Sequence, residues 1–592
     1  MPTDNQALVL LDDRQFGRIR VFERPVGSIC CREAAGAGAA LARLEEALNS
    51  GLHAAGFMAY ELGYALEPRL SPLMPDTLPV PLLWFGLFEA PEVLEGEALT
   101  AFLHGRTKAG HRLSGTRTLW DRQAYAARFG RVQNYIEAGD VYQVNLTFPL
   151  DFVLEGDPLS LWAALRARQP VAHGGFIRTE RFSLLSLSPE LFVERRRDML
   201  TSRPMKGTAA REPGAGDREA AERLSTDEKS RAENLMIVDL IRNDLARVTR
   251  PGSVQVPELF RVEAYPRFFG MTSTVTGRLR GEVHFAEIVK ALFPCGSVTG
   301  APKIRAQEVI RELESAPRGA YTGSLGYIAP DGEFSFNVAI RTAHIDEGGA
   351  GVMGIGSGIV RDSQCEAEYD ECLLKASFLT QEAEPFRLIE TLLWTPDEGF
   401  RFLAEHLERL GASAAHFGFA HDEEEVRRAL ADCAAGLKPV RHIVRLLSDE
   451  HGEIRVSAAP LGPSVSEWTW TLSPERVQSC DPFLRHKTTR RALYDGEHAR
   501  LRAETGCDEV IFLNERGELA EGSRTTIFLR RDGELFTPRL TCGALDGVLR
   551  RVLMRDPGVG VREKVLYPED LERADEVLLG NSVRGLIPAR PM

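Results

Sequence analysis

Apolar positions along the chain alternate between a helical period and a strand period. Tyr125, Phe129, Val132 and Ile136 recur at helical spacing over 121–137. The stretch after it, Gly139 to Thr147, alternates apolar and polar residues like a strand. The strongest helical period runs from 226 to 248 through Leu235, Ile237, Leu240, Ile241, Leu245 and Val248. A further helix is predicted over 301–314, with Pro302 near its first turn. Strands at about 321–328, 334–345 and 351–360 then lead to a helix at about 364–380. Residues 1–120 mix short apolar runs with Gly/Pro breaks, as in Pro79 to Gly86, and read as strands and turns. The Ala/Gly stretch Ala34 to Ala40 reads as a helix start. Thr380 to Pro385 is a polar bridge ending in a proline stop, and the main boundary is placed there. The pattern restarts after it: a strand over 386–394, a turn at Pro396 to Gly399 and a helix over 402–416. The part beyond the bridge has roughly 210 residues, enough for its own core.

Bulk properties narrow the function. A length of 592 residues suggests roughly three to five structural units. The net charge of −13 argues against nucleic acid as a main partner, so any anionic ligand must find local cations. No apolar run approaches the roughly 18–20 residues of a membrane span. The first residues, Met1 to Asn5, lack a basic or apolar leader. Nine cysteines without a CxxC pair fit reduced thiols, and a cytoplasmic location is expected. HExxH, Walker A and GxSxG motifs are absent.

One constellation lies between residues 190 and 375. Pro204-Met205-Lys206-Gly207-Thr208 places a lysine in a Pro/Gly frame that reads as a turn. Such an amine can act as nucleophile, base or anion ligand, although taken singly it is an ordinary surface lysine. Glu190 precedes it in Ser188-Pro189-Glu190, and Glu233 sits on the 226–248 helix. The loop Cys295 to Lys303 leads into a helix N-terminus, where free N–H groups and Lys303 would suit an anion. Arg341 is suited to bidentate carboxylate binding. Gly354, Gly356 and Gly358 alternate and leave one strand face bare to a ligand. Glu368 and Glu371 share one helix face. With Glu233 and no His or Cys partner, they suit a hard cation such as Mg2+, the plain alternative being a solvated acidic face.

Ala232 to Asp244, Gly296 to Lys303 and Gly356 to Lys375 together resemble the chorismate-utilising enzymes. That group includes component I of anthranilate synthase and of aminodeoxychorismate synthase, and the isochorismate and salicylate synthases. The resemblance covers roughly residues 120–380, with 1–120 matching less well, and implies two facing antiparallel sheets with helices outside. It also implies the roles. Lys206 stands where the aminodeoxychorismate type has its lysine and the anthranilate type a small residue, and would attack C2 of chorismate. Glu190 would assist departure of the C4 hydroxyl. Glu233 and Glu371 match Mg2+ ligands, with Glu368 beside them. Thr208, Lys303, Arg341, Gly356 and Gly358 match groups that hold the substrate. Ser230 stands where many relatives are acidic, and Gly270 near a histidine tied to pyruvate elimination in the anthranilate type. No glutamine amidotransferase signature is present, so ammonia is expected from a separate glutaminase subunit.

A second constellation follows the bridge. Lys487, the segment Glu521 to Phe528, the turn Gly543 to Arg550 entering a helix, and Leu578 to Gly585 can together serve a pyridoxal phosphate site. A lysine holds the aldehyde carbon, a carboxylate faces the ring nitrogen and a helix end holds phosphate. Their order, with His406-Leu407-Glu408-Arg409-Leu410, resembles the fold-type IV pyridoxal phosphate enzymes, which include aminotransferases and 4-amino-4-deoxychorismate lyase. By that resemblance Lys487 carries the cofactor and moves the proton. Glu521 contacts the ring nitrogen, Arg409, the Gly547 and Val548 amides and Ser582 hold phosphate, and Thr391 aligns near a lyase hydroxyl.

The fold class expected is mixed α/β and α+β: a chorismate-binding domain over 1–382 and a fold-type IV domain over 385–592. A homodimer through the second domain is the family's usual arrangement. The expected function is 4-aminobenzoate synthesis for folate, from chorismate and ammonia through aminodeoxychorismate. The alternative is an anthranilate or isochorismate-type front domain joined to a branched-chain or D-amino-acid aminotransferase.

Overall fold

The computed structural model describes residues 7–592 except 14–16, 108–110, 170, 211–214, 266–267, 381–385, 418, 464–465 and 480. The bridge residues 381–385 that mark the expected boundary therefore lie outside the described residues. The chain divides into two compact units, residues 1–381 and 382–592, with 212–219 grouped with the second. Length alone suggested three to five. The number is smaller because the first unit spreads its strands over two large sheets that share one core.

In the first unit the paired strands of both sheets are antiparallel, as expected. One sheet carries Gln143–Gly156 between Gly300–Ala301 and Ala350–Ile359, and runs on through Thr342–Asp346 and Phe182–Ser188. The other runs from Met205–Ala210 through Phe268–Arg278 to Leu191–Arg196 and Phe334–Asn337. Residues 1–120 are not a separate domain. Leu8–Asp13 and Arg18–Glu23 extend the first sheet, while His53–Met58 and Leu83–Phe88 extend the second. Between the sheets lie Val9, Phe57, Ile177, Leu184 and Leu325, all essentially fully buried. Each such side chain contributes roughly 1.5–3 kcal/mol of burial.

Helices cover the outer faces. Glu228–Ala246 begins where Asp227 accepts from the Ser230 N–H at 2.7 Å, closing its first turn. It buries Ile237, Val238, Ile241 and Leu245 against the second sheet. Leu235, in register by sequence, instead faces outward. Cys365–Thr380 and Arg122–Glu137 cover the first sheet through Tyr369, Cys372, Tyr125 and Phe129.

Two chain crossings between the sheets matter most. Phe182–Ser188 belongs to the first sheet and Leu191–Arg196 to the second, so the chain changes sheet at Pro189 and Glu190. The stretch read as one strand over 334–345 is likewise two strands in different sheets, Phe334–Asn337 and Thr342–Asp346. The Val338 N–H donates to the Glu190 carbonyl at 3.0 Å, and the Leu187 N–H to the Arg341 carbonyl at 3.0 Å. The two crossings are thus tied together.

The second unit has a small sheet, Gly399–Phe400, Leu388–Thr395, His442–Ser448 and Ile454–Pro460. The helix Leu403–Phe417 packs on it through Leu407, Leu410 and Ala414. A larger mixed sheet carries Glu509–Asn514, Leu519–Gly522, Thr526–Arg531 and Glu576–Asn581. Among the described residues no helix is long and apolar enough to cross a membrane.

Candidate active sites

The first unit encloses a cavity of about 300 Å³ where its chain crosses between sheets. Lys206 lines it, not from a turn as the sequence suggested but from a bulge in Met205–Ala210. Met205 pairs with Thr272 and Thr208 with Gly270, leaving Lys206 and Gly207 out of register. Gly207 supplies the bulge's left-handed φ of 87°. The Lys206 amine has neither hydrogen bond nor ion pair among the described residues. A Cβ on Gly358 would lie 3.1 Å from it, so the bare strand face lets the amine approach closely. Gly354 serves packing instead, because a Cβ there would enter the Tyr321 ring.

Glu190, on its crossing, is 3% exposed and accepts from Ser297 Oγ at 2.6 Å. Burial pushes its carboxyl up to about 7, only partly offset by Ser297 and Lys206. Much of it therefore still carries a proton near pH 7. Arg341, on the other crossing, has a φ of 50° and stacks 4.4 Å over the Phe268 ring. Burial brings its guanidinium down to about 10, and it has no carboxylate partner among the described residues. A desolvated cation facing a cavity is a receptor for an anion.

Glu233, Glu368 and Glu371 line the opposite wall. Lys229 lies 3.9 Å from Glu233 and 3.6 Å from Glu368, while Lys375 pairs with Glu371 at 2.7 Å. Burial raises the Glu233 carboxyl, whereas at Glu371 burial is outweighed by Lys375 together with Lys206 and Lys229, which lower it. Among the described residues no three ligating side chains converge on one point as they stand. The donor set nevertheless fits a hard cation: oxygen only, clustered, with lysines now balancing the charge. Thr208, Gly356 and Gly358 also line the cavity.

Lys303 requires a correction. Its amine donates at 2.7 Å to Asp244 Oδ2 and at 2.7 Å to the Leu292 carbonyl, and it does not line the cavity. The helix it opens, Lys303–Leu313, does not line it either; the preceding loop contributes Ser297 and Val298 instead. Lys375 and Lys229 were missed. Lys375 donates to the Gly356 carbonyl at 3.0 Å. The signal was present in the sequence, since Lys375 follows Glu371 by one helical turn. At Gly270, a Cβ would meet Met205 Sδ at 2.9 Å, so methionine fills the space a larger residue would need.

The second unit holds a cavity of about 710 Å³. Lys487 lines it, and its amine donates to Thr391 Oγ1 at 3.0 Å. Burial brings this amine down to about 7, with Arg409 adding to the effect, so much of it is neutral near pH 7. Glu521 accepts from Tyr494 Oη at 2.6 Å and from the Leu545 N–H at 3.0 Å, and burial pushes it up to about 7. The amide end of Val548–Arg555, with Gly547 as its cap, opens into the same cavity beside Arg409 and Ser582. Ser582 Oγ donates to the Thr391 carbonyl at 3.3 Å.

Sequence reasoning passed over Glu390. It is 3% exposed and accepts from Arg409 at 2.9 and 2.6 Å and meets His406 Nδ1 at 2.5 Å. Burial alone would raise its carboxyl, but Arg409 and His406 outweigh this and hold it at about 2. The signal was the spacing of His406 and Arg409, which puts both on one helix face. An amine made neutral by burial, a carboxyl opposite, and a helix end with a clamped arginine fit a phosphorylated pyridine aldehyde.

The family described as chorismate binding enzyme matches residues 30–381, and amino-transferase class IV matches residues 387–591. Aminodeoxychorismate synthase component 1 of Salmonella typhimurium is 37% identical over 354 residues, covering 56% of this chain and 76% of that protein. Anthranilate synthase component 1 of Methanothermobacter thermautotrophicus is 35% identical over 378 residues, covering 63% and 79%. The crystal structure of anthranilate synthase component I from Streptococcus pneumoniae is 24% identical with a TM-score of 0.53. It covers 64% of this chain and 93% of that one, and shares the fold. With its family match running across more than half of its length, the chain belongs to the chorismate binding enzymes and carries a class IV aminotransferase region behind them.

Proposed function

We propose that the chain makes 4-aminobenzoate in two steps: amination of chorismate at C4 in the first unit and elimination of pyruvate in the second. The observation that carries this reading is that the Lys206 amine, without a partner among the described residues, lines the same cavity as Glu190, whose carboxyl burial raises to about 7. Lys206 attacks C2 of chorismate as the C4 hydroxyl leaves with its bonding pair, and Glu190 gives that oxygen a proton. Ammonia then forms a bond at C4 through its lone pair, and Lys206 departs from C2 with its own pair. The new nitrogen releases one proton. Arg341 and Thr208 hold substrate carboxylate, and Gly356 and Gly358 let the ring approach the backbone. Glu233, Glu368 and Glu371 would hold Mg2+, which would take up substrate carboxylate charge when Lys229 and Lys375 give way. Ammonia comes from a separate glutamine amidotransferase, in keeping with the component 1 relatives.

In the second unit, pyridoxal phosphate, when bound, supplies the electron sink for breaking bonds next to the amino-bearing carbon. Lys487 holds and moves the proton there, with Thr391 keeping its amine in place. Glu521 faces the ring nitrogen. Arg409, the Gly547 and Val548 amides and Ser582 hold phosphate. The partner activity decides between lyase and aminotransferase, since aminodeoxychorismate from the first unit is a lyase substrate.

Incubating the purified chain with chorismate, ammonium, Mg2+ and pyridoxal phosphate is expected to yield 4-aminobenzoate. Anthranilate or salicylate in its place sinks the proposal. Lys206→Ala should lose amination by at least roughly 10³-fold while cleavage of supplied aminodeoxychorismate persists. Lys487→Ala should do the reverse and let aminodeoxychorismate accumulate.

A further inference from the structure

We propose that Arg524 and Arg584 form a receptor, at the rim of the second unit's cavity, for the substrate carboxylate lying opposite its amino group. The proposal rests on the cleavage reading above and names what separates that substrate from a branched-chain amino acid.

Both arginines line the cavity. They stand at the same end of two paired strands. Thr526, at the start of Thr526–Arg531, lies opposite Gly580 of Glu576–Asn581, so the chain enters one strand where it leaves the other. Arg524 comes just before that pair and Arg584 just after it. Asn581 ties the two turns together. Its Nδ2 donates to the Arg524 carbonyl at 3.5 Å, and its Oδ1 accepts from the Arg584 N–H at 3.0 Å.

Each guanidinium is anchored without losing its charge. Arg524 Nη2 lies 3.3 Å from His498 Nδ1, and His498 Nε2 lies 3.0 Å from the Asp508 carbonyl. A carbonyl only accepts, so Nε2 carries the ring proton and Nδ1 is left to accept from Arg524. Arg584 Nη1 donates to the Pro463 carbonyl at 3.3 Å. Neither guanidinium pairs with a carboxylate among the described residues. Glu509, which also lines the cavity, is buried and turned elsewhere. It accepts from Ser523 Oγ, from Thr525 Oγ1 at 2.9 Å and from the Arg524 backbone N–H at 3.2 Å. By contrast, Arg409 is tied to Glu390, and Arg491 lies 3.6 Å from Asp495. Arg524 and Arg584 therefore present uncompensated, planar cations, the groups best matched to a carboxylate. Arg445 also lacks a carboxylate partner, but by register it stands opposite Thr391, at the amine end of the cavity.

The turn bearing Arg584 fixes the distance from the reacting end. Ser582 Oγ donates to the Thr391 carbonyl at 3.3 Å, and Thr391 Oγ1 accepts from the Lys487 amine at 3.0 Å. A ring whose amino group is held at the Lys487 end extends toward the opening. In aminodeoxychorismate the carboxylate at C1 stands opposite the amino group at C4, so it reaches the rim. Cleavage leaves this carboxylate in place on 4-aminobenzoate. A branched-chain amino acid has no charge to offer there.

The test is cleavage of supplied aminodeoxychorismate by the full chain loaded with pyridoxal phosphate. Arg524→Met and Arg584→Met keep the apolar stem and remove the charge. Each is expected to raise the KM about tenfold or more while kcat changes much less. Inhibition by 4-aminobenzoate, which bears the same carboxylate, should weaken in parallel. Added potassium chloride should raise the KM of the unaltered chain more than that of either variant. An unchanged KM in both variants, or a raised KM with undiminished inhibition by 4-aminobenzoate, overturns the receptor. The cofactor's absorbance reports an intact site. Where a methionine variant does not fold, Arg524→Gln or Arg584→Gln takes its place under the same criteria. If the unaltered chain does not cleave aminodeoxychorismate, the cleavage reading fails, and the cofactor's spectral response to glutamate and to leucine judges the receptor. A preference for glutamate that both variants abolish supports it, and no preference overturns it.

Discussion

Glu190 shows how a single residue's setting fixes its chemistry. Its carboxyl is raised by burial to about 7, so the folded chain holds its proton above the unfolded value near 4.5. The stability this group contributes is complete below about pH 4.5 and is lost as pH rises through about 7. Amination should follow the same proton and fall by about tenfold per unit on the alkaline side of pH 7. A profile of amination rate from pH 5.5 to 9 checks this, and Glu190→Gln should remove the limb together with most of the rate. Lys303 makes the opposite point. Its motif position matched a substrate ligand, but its amine is locked onto Asp244. Lys303→Met should leave the chorismate KM nearly unchanged. It should instead destabilise the first unit by roughly 3–5 kcal/mol, because Asp244 is left buried and uncompensated. Thermal melting and substrate titration separate the two outcomes. Motif reading identifies residue types at ordered positions. It cannot tell which way a side chain leaves the backbone, and that divides Lys303 from Lys375.

At the scale of elements, the helices were the most legible part of the sequence. A strong 3.6-residue period and an Asp227 cap are local signals, and Glu228–Ala246 and Cys365–Thr380 fall close to their expected bounds. The strand stretch over 334–345 was not legible as two pieces. Apolar alternation is the same whether a chain continues in one sheet or crosses to another, so nothing local marks the break at Arg341. The bulge carrying Lys206 was hidden for a related reason: it exists only in relation to Thr272 and Gly270 on the neighbouring strand. In the second unit, Glu390 on Leu388–Thr395 fixes Arg409 on the packed helix. Glu390→Gln should weaken pyridoxal phosphate binding by roughly tenfold or more, since Arg409 loses a charged partner worth a few kcal/mol. Equilibrium titration of the cofactor at fixed pH measures it.

For the molecule as a whole, each unit has its own buried clusters, as in the sandwich core around Phe57 and the small-sheet core around Leu388 and Leu407. Expressed separately, with the break placed within 381–385, the two pieces should each fold. Mixed together, they should convert chorismate and ammonium to 4-aminobenzoate, with free aminodeoxychorismate detectable by chromatography in between. A mixture that makes none, from pieces that are each folded, would show that the covalent connection matters to the reaction.

The start of the second piece cannot be chosen freely. The Ile389 N–H donates to the Lys487 carbonyl at 2.8 Å, and Leu388 bridges Thr488. The Thr489 N–H donates to the Arg387 carbonyl at 2.9 Å, while Thr489 Oγ1 accepts from the Arg387 N–H at 2.9 Å. Residues 387–389 and the loop bearing the reactive amine of this half are therefore one laced object. Anyone engineering the fusion has almost no freedom from Arg387 onward. A truncation reaching Ile389 would unlace Lys487 from its own backbone support and take one residue of the cavity wall with it.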